Sequence, residues 1–264
     1  MDNSKPKVIF EDSDLLVLDK PWGMIVNRSD TTKGEETVQD IVEKYLKIRS
    51  TKHDIRNKSQ ISNDQNSFEF RNSDFEFRSR AGIVHRLDKE TSGILLVAKN
   101  PDAFQNLQAQ FKERKVQKTY VALAHGKIEP EIGEINVSVG RLPWNRKRFG
   151  VVAQGRESVT KYKVLSIMYY VSGKETEPLS LLELYPKSGR THQIRVHLQY
   201  IKHPIFSDPL YAGRKVSRND RKLLPRIFLH AAKISFSHPK TNSILNFESP
   251  LPQDLKDFIS SLHS

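Results

Sequence analysis

A cluster of polar residues that interrupts an apolar stretch is the first candidate for chemistry in this sequence. Residues 83–99 read IVHRLDKETSGILLVAK, with the polar part between two apolar runs. Polar residues at strand ends often build functional sites. Arg86 stands two residues before Asp88, and a nearby guanidinium keeps a carboxylate ionised, as a nucleophile requires. These residues alone are equally compatible with an ordinary loop that contains an Asp or Ser turn.

A second polar segment, LYPKSGRTHQIRVHLQ at 184–199, breaks a strand pattern and starts a helix pattern. Thr191 is the predicted helix cap. Three polar residues at helical spacing are predicted to share the face opposite the apolar stripe: His192, Arg195 and Gln199. Arg190 lies near the helix start, where arginines suit an anion such as phosphate or the Asp88 carboxylate. The alternative interpretation is a solvated helix face of ordinary charge.

The charge balance favours a polyanion as partner. The 264 residues include 43 Lys+Arg and 31 Asp+Glu, which gives a net charge of +12. The stretch 141–163 carries Trp144 and Phe149 among seven basic residues, which are Arg141, Arg146, Lys147, Arg148, Arg156, Lys161 and Lys163. The stretch 214–226 carries six more, which are Arg214, Lys215, Arg218, Arg221, Lys222 and Arg226. Such runs are often plain surface, but two of them in so basic a chain favour binding of nucleic-acid phosphates.

Composition also excludes several classes of function. Cysteine is absent, which excludes disulfides, thiol catalysis and Cys-ligated metals. No apolar run reaches the length of about 18 residues that a membrane helix needs, and the first residues lack the apolar core of a signal peptide, so we expect a cytoplasmic protein. His192, His197 and His203 are too irregularly spaced to share one helix face. We therefore favour core or RNA-contacting histidines over a metal site.

Strand patterns outnumber helix patterns along the chain. Strands are predicted at 7–10, 15–18, 94–98, 119–124, 158–170, 179–185, 228–236 and 243–247. Helices are predicted at about 38–47, 101–111, 194–201 and 255–262. Because these elements show no regular strand–helix–strand alternation, we expect an α+β fold with a large mixed, mostly antiparallel sheet and flanking helices. We expect residues 1–264 to form one catalytic domain.

Residues 49–80 differ in composition from the rest of the chain. They are rich in Ser, Asn, Asp, Lys and Arg, and NSFEFR at 66–71 nearly recurs as NSDFEFR at 72–78. The composition predicts a mobile surface insertion rather than a packed element. An RNA- or partner-contacting loop is the functional alternative, and the two FEFR segments could instead pair as a small hairpin.

Five segments together resemble the RluA-type pseudouridine synthases. HRLDKETSG at 85–93 is similar to the signature loop of that family, and GRTHQIRVH at 189–197 to a second family segment. DKPWG at 19–23 and KTY at 118–120 resemble two further motifs. HPIFSDPLY at 203–211 resembles the fifth, with Ser207 where glycine is usual. All five occur in the family's order.

The resemblance implies isomerisation of uridine to pseudouridine in ribosomal or transfer RNA, without a cofactor or a metal. It implies the family's catalytic-domain fold, with Asp88 as the catalytic carboxylate and Tyr120 against the uracil. Arg195 would pair with Asp88, and Arg86 would enter the RNA helix where the target uridine is extruded. His85, Arg190, Arg146, Lys147 and Arg148 are further candidates for RNA binding. We expect a monomer without a separate N-terminal RNA-binding domain, because the chain starts close to DKPWG.

Two other classes of function compete with this interpretation. A glycoside or nucleoside hydrolase normally uses two carboxylates, and Glu90 is the nearest second one, although its position two residues from Asp88 is unfavourable. A non-catalytic RNA-binding module is the other alternative. The presence of all four residues that the family needs, Arg86, Asp88, Tyr120 and Arg195, argues against it.

Overall fold

The computed structural model describes residues 5–29, 34–47, 72–172 and 175–263. Its strands are β1 Lys7–Glu11, β2 Leu15–Lys20, β3 Ser92–Ala98, β4 Gln117–His125, β5 Ile132–Asn136, β6 Val139–Leu142, β7 Asn145–Val151, β8 Val159–Ser172, β9 Glu175–Pro186, β10 Leu229–Ser237 and β11 Ile244–Glu248. Its helices are α1 Val38–Leu46, α2 Asn72–Ser79, α3 Pro101–Lys112, α4 Gln193–Tyr200, α5 Arg214–Asp220 and α6 Gln253–Ser260. No helix within these ranges is long and apolar enough to cross a membrane.

The chain divides into two compact units, each made of separate stretches of sequence. The first unit contains residues 1–89, 95–115 and 236–245, and the second contains residues 90–94, 116–235 and 246–264. Strand β3 contributes residues to both. The prediction of one catalytic domain stays a prediction.

In the first unit, a tight turn joins β1 and β2 as an antiparallel pair. The carboxylate of Asp12 accepts the N–H groups of Asp14 and Leu15, both at 2.7 Å, which is the short-range bonding that makes Asp a turn residue. Helix α1 begins as predicted, because Thr37 caps it in a reciprocal capping box with Asp40. Asn100 caps α3 by accepting the N–H of Ala103 at 2.9 Å, ahead of proline at the first helical position.

Helix α2 corrects the interpretation of residues 49–80. Residues 49–71 lie outside the described part of the chain, but residues 72–79 are helical. The alternative that the second FEFR segment forms a hairpin strand is therefore wrong. Phe77 on α2 is buried and meets Phe104 of α3 edge to face, with ring centroids 5.9 Å apart. Phe75 and Phe77 alternate with polar residues, which is the pattern of a strand, so the local sequence did not indicate a helix. The packing of Phe77 against α3 decides the helix instead.

The second unit is built on a mixed sheet in the order β3-β10-β4-β9-β8-β5, with β11 also paired with β10. The β3–β10 pair is parallel, whereas β4, β8, β9 and β5 pair antiparallel with their neighbours. Residues of the central strands share one apolar cluster with residues of α4 and α6, including Leu123, Leu182, Ile194, Leu198, Phe206, Phe228 and Phe258. The predicted α+β class with a mostly antiparallel sheet and flanking helices is confirmed.

A separate two-stranded sheet, β6–β7, was not predicted from the sequence. The strands pair from Val139 opposite Val151 to Leu142 opposite Asn145, and Pro143-Trp144 connects them. Its strands alternate only weakly between apolar and polar residues, so the two-residue period that identifies a half-buried strand is nearly absent.

Gly93 is the position where the second unit depends most directly on glycine. Its φ angle is +111°, and a Cβ atom there would lie 2.2 Å from the carbonyl oxygen of Ala231 on β10. We expect Gly93→Ala to lower the free energy of unfolding by roughly 2–5 kcal/mol, because the strand backbones would have to separate. Gly189→Ala is the matched control, since a Cβ there meets nothing within 4 Å. Equal denaturant midpoints for the two variants would contradict the expectation.

Candidate active site

The loop that carries Asp88 is held from one side by the DKPWG segment of the first unit. Lys20 is fully buried, and its ammonium donates to the carbonyls of Pro21 and Met24, both at 2.8 Å, and to the carbonyl of Lys89 at 3.2 Å. The N–H of Gly23 also donates to the Lys89 carbonyl, at 2.8 Å. Three donors thus meet three acceptors, so the buried charge is satisfied while it fixes the residue after Asp88. Asp88 itself is half-buried.

His85 and Arg86 precede Asp88 and have different environments. The Nε2 atom of His85 accepts the N–H of Leu96 at 2.9 Å, and its ring stacks on Phe111 with centroids 5.0 Å apart. These contacts anchor the loop to β3 and α3, which is a structural function that the sequence did not indicate. Arg86 is exposed and accessible to a partner.

In the second unit, Arg195 lies in a buried ion pair. The guanidinium, only 5% exposed, donates from Nε to one carboxylate oxygen of Asp208 at 2.7 Å and from Nη2 to the other at 2.9 Å. Asp208 is fully buried and also accepts the N–H groups of Leu210 and Tyr211. The alternative interpretation, a solvated helix face, is therefore wrong at Arg195. The pairing of Arg195 with Asp88 that the family resemblance implies stays a prediction.

Ser207 explains why a glycine is usual before this aspartate. Its φ angle is +63°, in the left-handed region that glycine adopts most easily. All three polar groups of Ser207 are bonded to residues 220–224: its N–H donates to Asp220 at 3.1 Å, its hydroxyl to the Leu224 carbonyl at 2.6 Å, and its carbonyl accepts from Arg221 at 3.2 Å. These bonds hold serine in the conformation that Asp208 needs to reach Arg195.

Glu90 is committed to a second ion pair within the same unit. Its two oxygens accept from the two terminal nitrogens of Arg221, each at 2.9 Å, and one of them also accepts the N–H of Ile227 at 3.1 Å. The hydrogen bond that Arg221 donates to Glu90 raises the pKa of Arg221. A carboxylate with both oxygens bonded in this way is poorly suited to serve as the proton donor of a hydrolase.

Strand β4 carries all three residues of the KTY motif. Tyr120 is half-buried and lies between Ala231 of β10 and Leu184 of β9 in the register of the sheet. Lys118 donates from its ammonium to the carbonyl of Ser188 at 3.1 Å, and burial lowers its pKa to about 8. The sequence singled out Tyr120 but gave Lys118 no function, and the burial that shifts its pKa is not visible in the motif.

The start of helix α4 differs from the prediction. His192, with φ +57°, is the residue at the cap position, so the assignment of Thr191 as the cap is wrong. The side chain of Gln193 organises the turn instead, because its oxygen accepts the hydroxyl of Ser188 at 2.7 Å and the N–H of Arg190 at 3.1 Å. Arg190 is half-buried beside this turn.

The ring of Tyr211 brings two of the predicted cations together. The guanidinium carbon of Arg195 lies 5.1 Å from the ring centroid, and that of Arg148 lies 5.4 Å from it. Arg148 also donates to the carbonyl of Leu210. The guanidinium of Arg148 is therefore partly engaged by contacts within the protein. The side chains of Arg146 and Lys147 lie outside the described residues, although their backbones belong to β7.

The second basic run is not a uniform RNA-facing surface. Arg226 is fully buried and donates to the hydroxyl of Ser92 at 2.7 Å, and burial lowers its pKa to about 10. Ser92 is bonded to Nδ1 of His230, whose Nε2 is bonded to the Ser249 carbonyl. Since a carbonyl only accepts, His230 carries its proton on Nε2 and Ser92 donates to Nδ1. The interpretation of Arg226 as a phosphate contact is therefore wrong, because its side chain is fully buried.

The three histidines of the second polar region have separate partners. His192 bonds the Tyr211 hydroxyl through Nδ1, His203 bonds the His125 carbonyl through Nδ1, and His197 bonds the Ser158 hydroxyl through Nε2. His197 is fully buried, and burial lowers its pKa to about 4. The structure thus gives each of them a packing or hydrogen-bonding function.

A different group in the first unit has the composition of a metal site. Ligand atoms of Asp12, Asp14 and His238 lie within 4.8 Å of one another. Nδ1 of His238 accepts the N–H groups of Lys240 and Thr241, both at 3.1 Å, so the proton is on Nε2, which donates to Asp12 at 3.0 Å. Both ring nitrogens of His238 already form hydrogen bonds within the protein. The three residues therefore fit a structural hydrogen-bond network better than a metal site.

Comparison with known proteins identifies the family. The family model described as RNA pseudouridylate synthase matches residues 14–200. Ribosomal large subunit pseudouridine synthase D of Nitrosomonas europaea is 33% identical over 98% of this chain and 65% of its own length. The uncharacterized RNA pseudouridine synthase YlyB of Bacillus subtilis is 32% identical over 97% of this chain and 72% of its own length. The structure of human RNA pseudouridylate synthase domain containing 1 is 26% identical and covers this whole chain and 90% of its own, with a TM-score of 0.69.

The chain belongs to the RNA pseudouridylate synthase family. The family resemblance seen in the five motifs is confirmed, and so is the expectation of an RNA-modifying enzyme of this class. The chain spans slightly less than two thirds of the Nitrosomonas relative's length.

The Arg195–Asp208 pair should dominate the stability of the second unit. We expect Asp208→Asn to lower the free energy of unfolding by about 3–5 kcal/mol, because it leaves a buried guanidinium without a countercharge. Glu129→Gln is the control, since it removes an exposed ion pair with Lys127 and should change little. Urea unfolding of both variants tests this, and similar small losses would show that Arg195 is neutralised by another group.

His197 should make stability depend on pH. Its pKa is about 4 in the folded chain and near 6.5 when unfolded, so the unfolded state binds the proton first as pH falls. We expect the wild-type free energy of unfolding to fall relative to that of His197→Gln between pH 6.5 and 4, by up to about 3 kcal/mol, and to level off below. Chemical denaturation at several pH values measures it. A difference that stays constant over this range would mean that the pKa of His197 is the same in the folded and unfolded states.

Proposed function

We propose that this chain converts uridine to pseudouridine in RNA of the large ribosomal subunit, with Asp88 as the catalytic carboxylate. The match of the HRLDKETSG loop to the family signature carries this proposal. The name of the Nitrosomonas relative supports ribosomal RNA over transfer RNA as the substrate. A monomer in the cytoplasm, acting without a cofactor or a metal, remains our expectation.

The reaction breaks the N1–C1′ bond of uridine, turns the uracil, and joins C5 to C1′. Asp88 either attacks C1′ or removes a proton from the ribose, and both routes need an ionised carboxylate. The fixed Lys89 carbonyl supports this function, since Lys20 and Gly23 hold the backbone beside Asp88. A carboxylate on a rigid loop loses less conformational freedom when substrate binds.

Arg195 is proposed to pair with Asp88, as the family resemblance implies. A guanidinium has five N–H donors, and the bonds to Asp208 use two nitrogens. One arginine can therefore serve two carboxylates. Tyr120 is proposed to contact the uracil and to assist removal of the C5 proton.

The RNA-binding residues are proposed on charge and exposure. Arg86 would enter the RNA stack when the target base is extruded, and its exposure supports this. Arg190 and the β7 residues Arg146, Lys147 and Arg148 would contact the RNA backbone, with Arg148 partly committed to Leu210. For His85 the stacking on Phe111 favours loop anchoring over direct RNA contact.

The environment of Glu90 argues against the hydrolase alternative. Hydrolysis of a glycosidic bond needs a carboxyl group that can donate a proton, whereas both oxygens of Glu90 accept hydrogen bonds from Arg221. Analysis of uridine-containing RNA for released uracil separates the two reactions, since isomerisation releases none.

Asp88→Asn tests the proposed catalytic function. We expect pseudouridine formation to fall by at least about 100-fold, because the amide keeps the shape but cannot act as base or nucleophile. Asp257→Asn is the matched control, because Asp257 is exposed and the substitution changes the charge equally. The RNA affinity of Asp88→Asn should remain within about twofold of that of this control. The assay is single-turnover pseudouridine formation on large-subunit RNA fragments. Substantial turnover by folded Asp88→Asn would remove Asp88 from the mechanism.

A further inference from the structure

The connection of the β6–β7 hairpin presents an unusual side chain to solvent. Trp144 is 79% exposed, more than any other large apolar side chain that the structure describes. An indole so fully exposed contributes nothing to the core, and burial of its surface by a partner would be favourable. The position of Trp144 therefore raises the question of what covers it.

The base of this hairpin is firmly attached to the second unit. Phe149 packs against the cluster of Val139, Val196 and Tyr211, and its N–H donates to the Tyr211 hydroxyl at 3.2 Å. His192 meets the ring of Phe149 edge to face at 5.6 Å. Because one end is anchored on α4 and the 208–211 segment, the other end presents Trp144 on a supported element rather than on a loose loop.

The charge around Trp144 indicates the chemistry of the partner. Residues 139–156 contain five basic residues and no acidic one. Arg141 is exposed and lies over the Phe149 ring at 5.5 Å, and Arg156 is exposed on the segment that bridges to Val139. Like charges of this number would repel a second copy of the hairpin, whereas they attract a polyanion.

Nucleobases fit an exposed indole within a basic surface. Aromatic side chains stack on the face of any base, but only where the base is free of its own duplex stack. In a continuous duplex the phosphates are accessible while the base faces are covered. An exposed tryptophan therefore adds affinity for unpaired nucleotides that the surrounding cations do not supply.

We propose that Trp144 stacks on an unpaired base of the RNA substrate, so that the β6–β7 hairpin selects RNA with single-stranded nucleotides. The inference rests on the proposed RNA substrate and is independent of the function of Asp88. Trp144 acts in binding and takes no part in the chemical step.

Intrinsic fluorescence reports on this contact directly, because the chain has two tryptophans. In a Trp22→Phe chain all indole emission comes from Trp144. We expect a stem–loop RNA to quench this emission saturably and a blunt duplex of equal length to quench it much less. If Trp22→Phe lowers pseudouridine formation, ¹⁹F NMR of the 5-fluorotryptophan wild-type chain replaces it, with Trp144→Phe assigning the signal.

Affinity measurements supply the energetic test. We expect Trp144→Ala to weaken binding of the stem–loop roughly 5- to 100-fold and to leave duplex binding and its salt dependence unchanged. Trp144→Phe should recover part of the loss. Ile132→Ala is the matched control, since Ile132 is an exposed apolar residue on β5, 70% accessible, outside the hairpin.

The outcomes separate this proposal from the proposed function. Unchanged stem–loop affinity in Trp144→Ala, while the wild-type chain binds and modifies RNA, overturns stacking and leaves the proposed function intact. Absence of any RNA binding by the wild type overturns both. Emission that responds to anionic phospholipid vesicles and not to stem–loop RNA also overturns stacking, in favour of a membrane surface.

Discussion

The ion pair between Arg195 and Asp208 is the interaction on which the polar architecture of the second unit depends. Removing a guanidinium from water costs several kcal/mol, and only a well-oriented carboxylate with satisfied lone pairs offsets that cost. Asp208 meets this requirement by accepting two backbone N–H groups beside its two bonds to Arg195. Its backbone in turn depends on Ser207, whose left-handed conformation is held by residues 220–224. The buried position of Arg195 thus requires a long irregular segment to be ordered.

Elements with strong local signals could be predicted from the sequence, and those set by packing could not. Helix α1 was predicted because Thr37 and Asp40 form a local capping box that needs no distant partner. Helix α2 was missed because its polar composition resembles a loop, and the contact of Phe77 with Phe104 supplies what the sequence lacks. The start of α4 was misplaced by one residue because the cap position belongs to the left-handed His192. The turn before it is organised by the bond from Ser188 to the Gln193 side chain, a contact that no propensity scale contains.

The candidate site shows the same division. The Asp88 loop was found because the family motif is contiguous in sequence. The ion pair of Arg195 with Asp208 could not be found from the sequence, since Asp208 lies 13 residues away in a segment without helix or strand periodicity. Glu90 was the nearest second carboxylate, at an unfavourable spacing from Asp88, and its two bonds to Arg221, 131 residues away, show the structural function that the sequence did not indicate.

Net charge is the property that sequence alone interprets least reliably, because cations serve two purposes here. Lys20 and Arg226 are fully buried, and they donate hydrogen bonds to carbonyl and hydroxyl groups within the protein. Arg86 and Arg141 are exposed and accessible to a polyanion. A charge of +12 counts both kinds equally, although only the exposed ones displace counterions from RNA. Specificity in such a protein therefore cannot come from total charge. Specificity must come from groups whose position matters more than the net charge, such as a carboxylate on a rigid loop or an exposed aromatic ring.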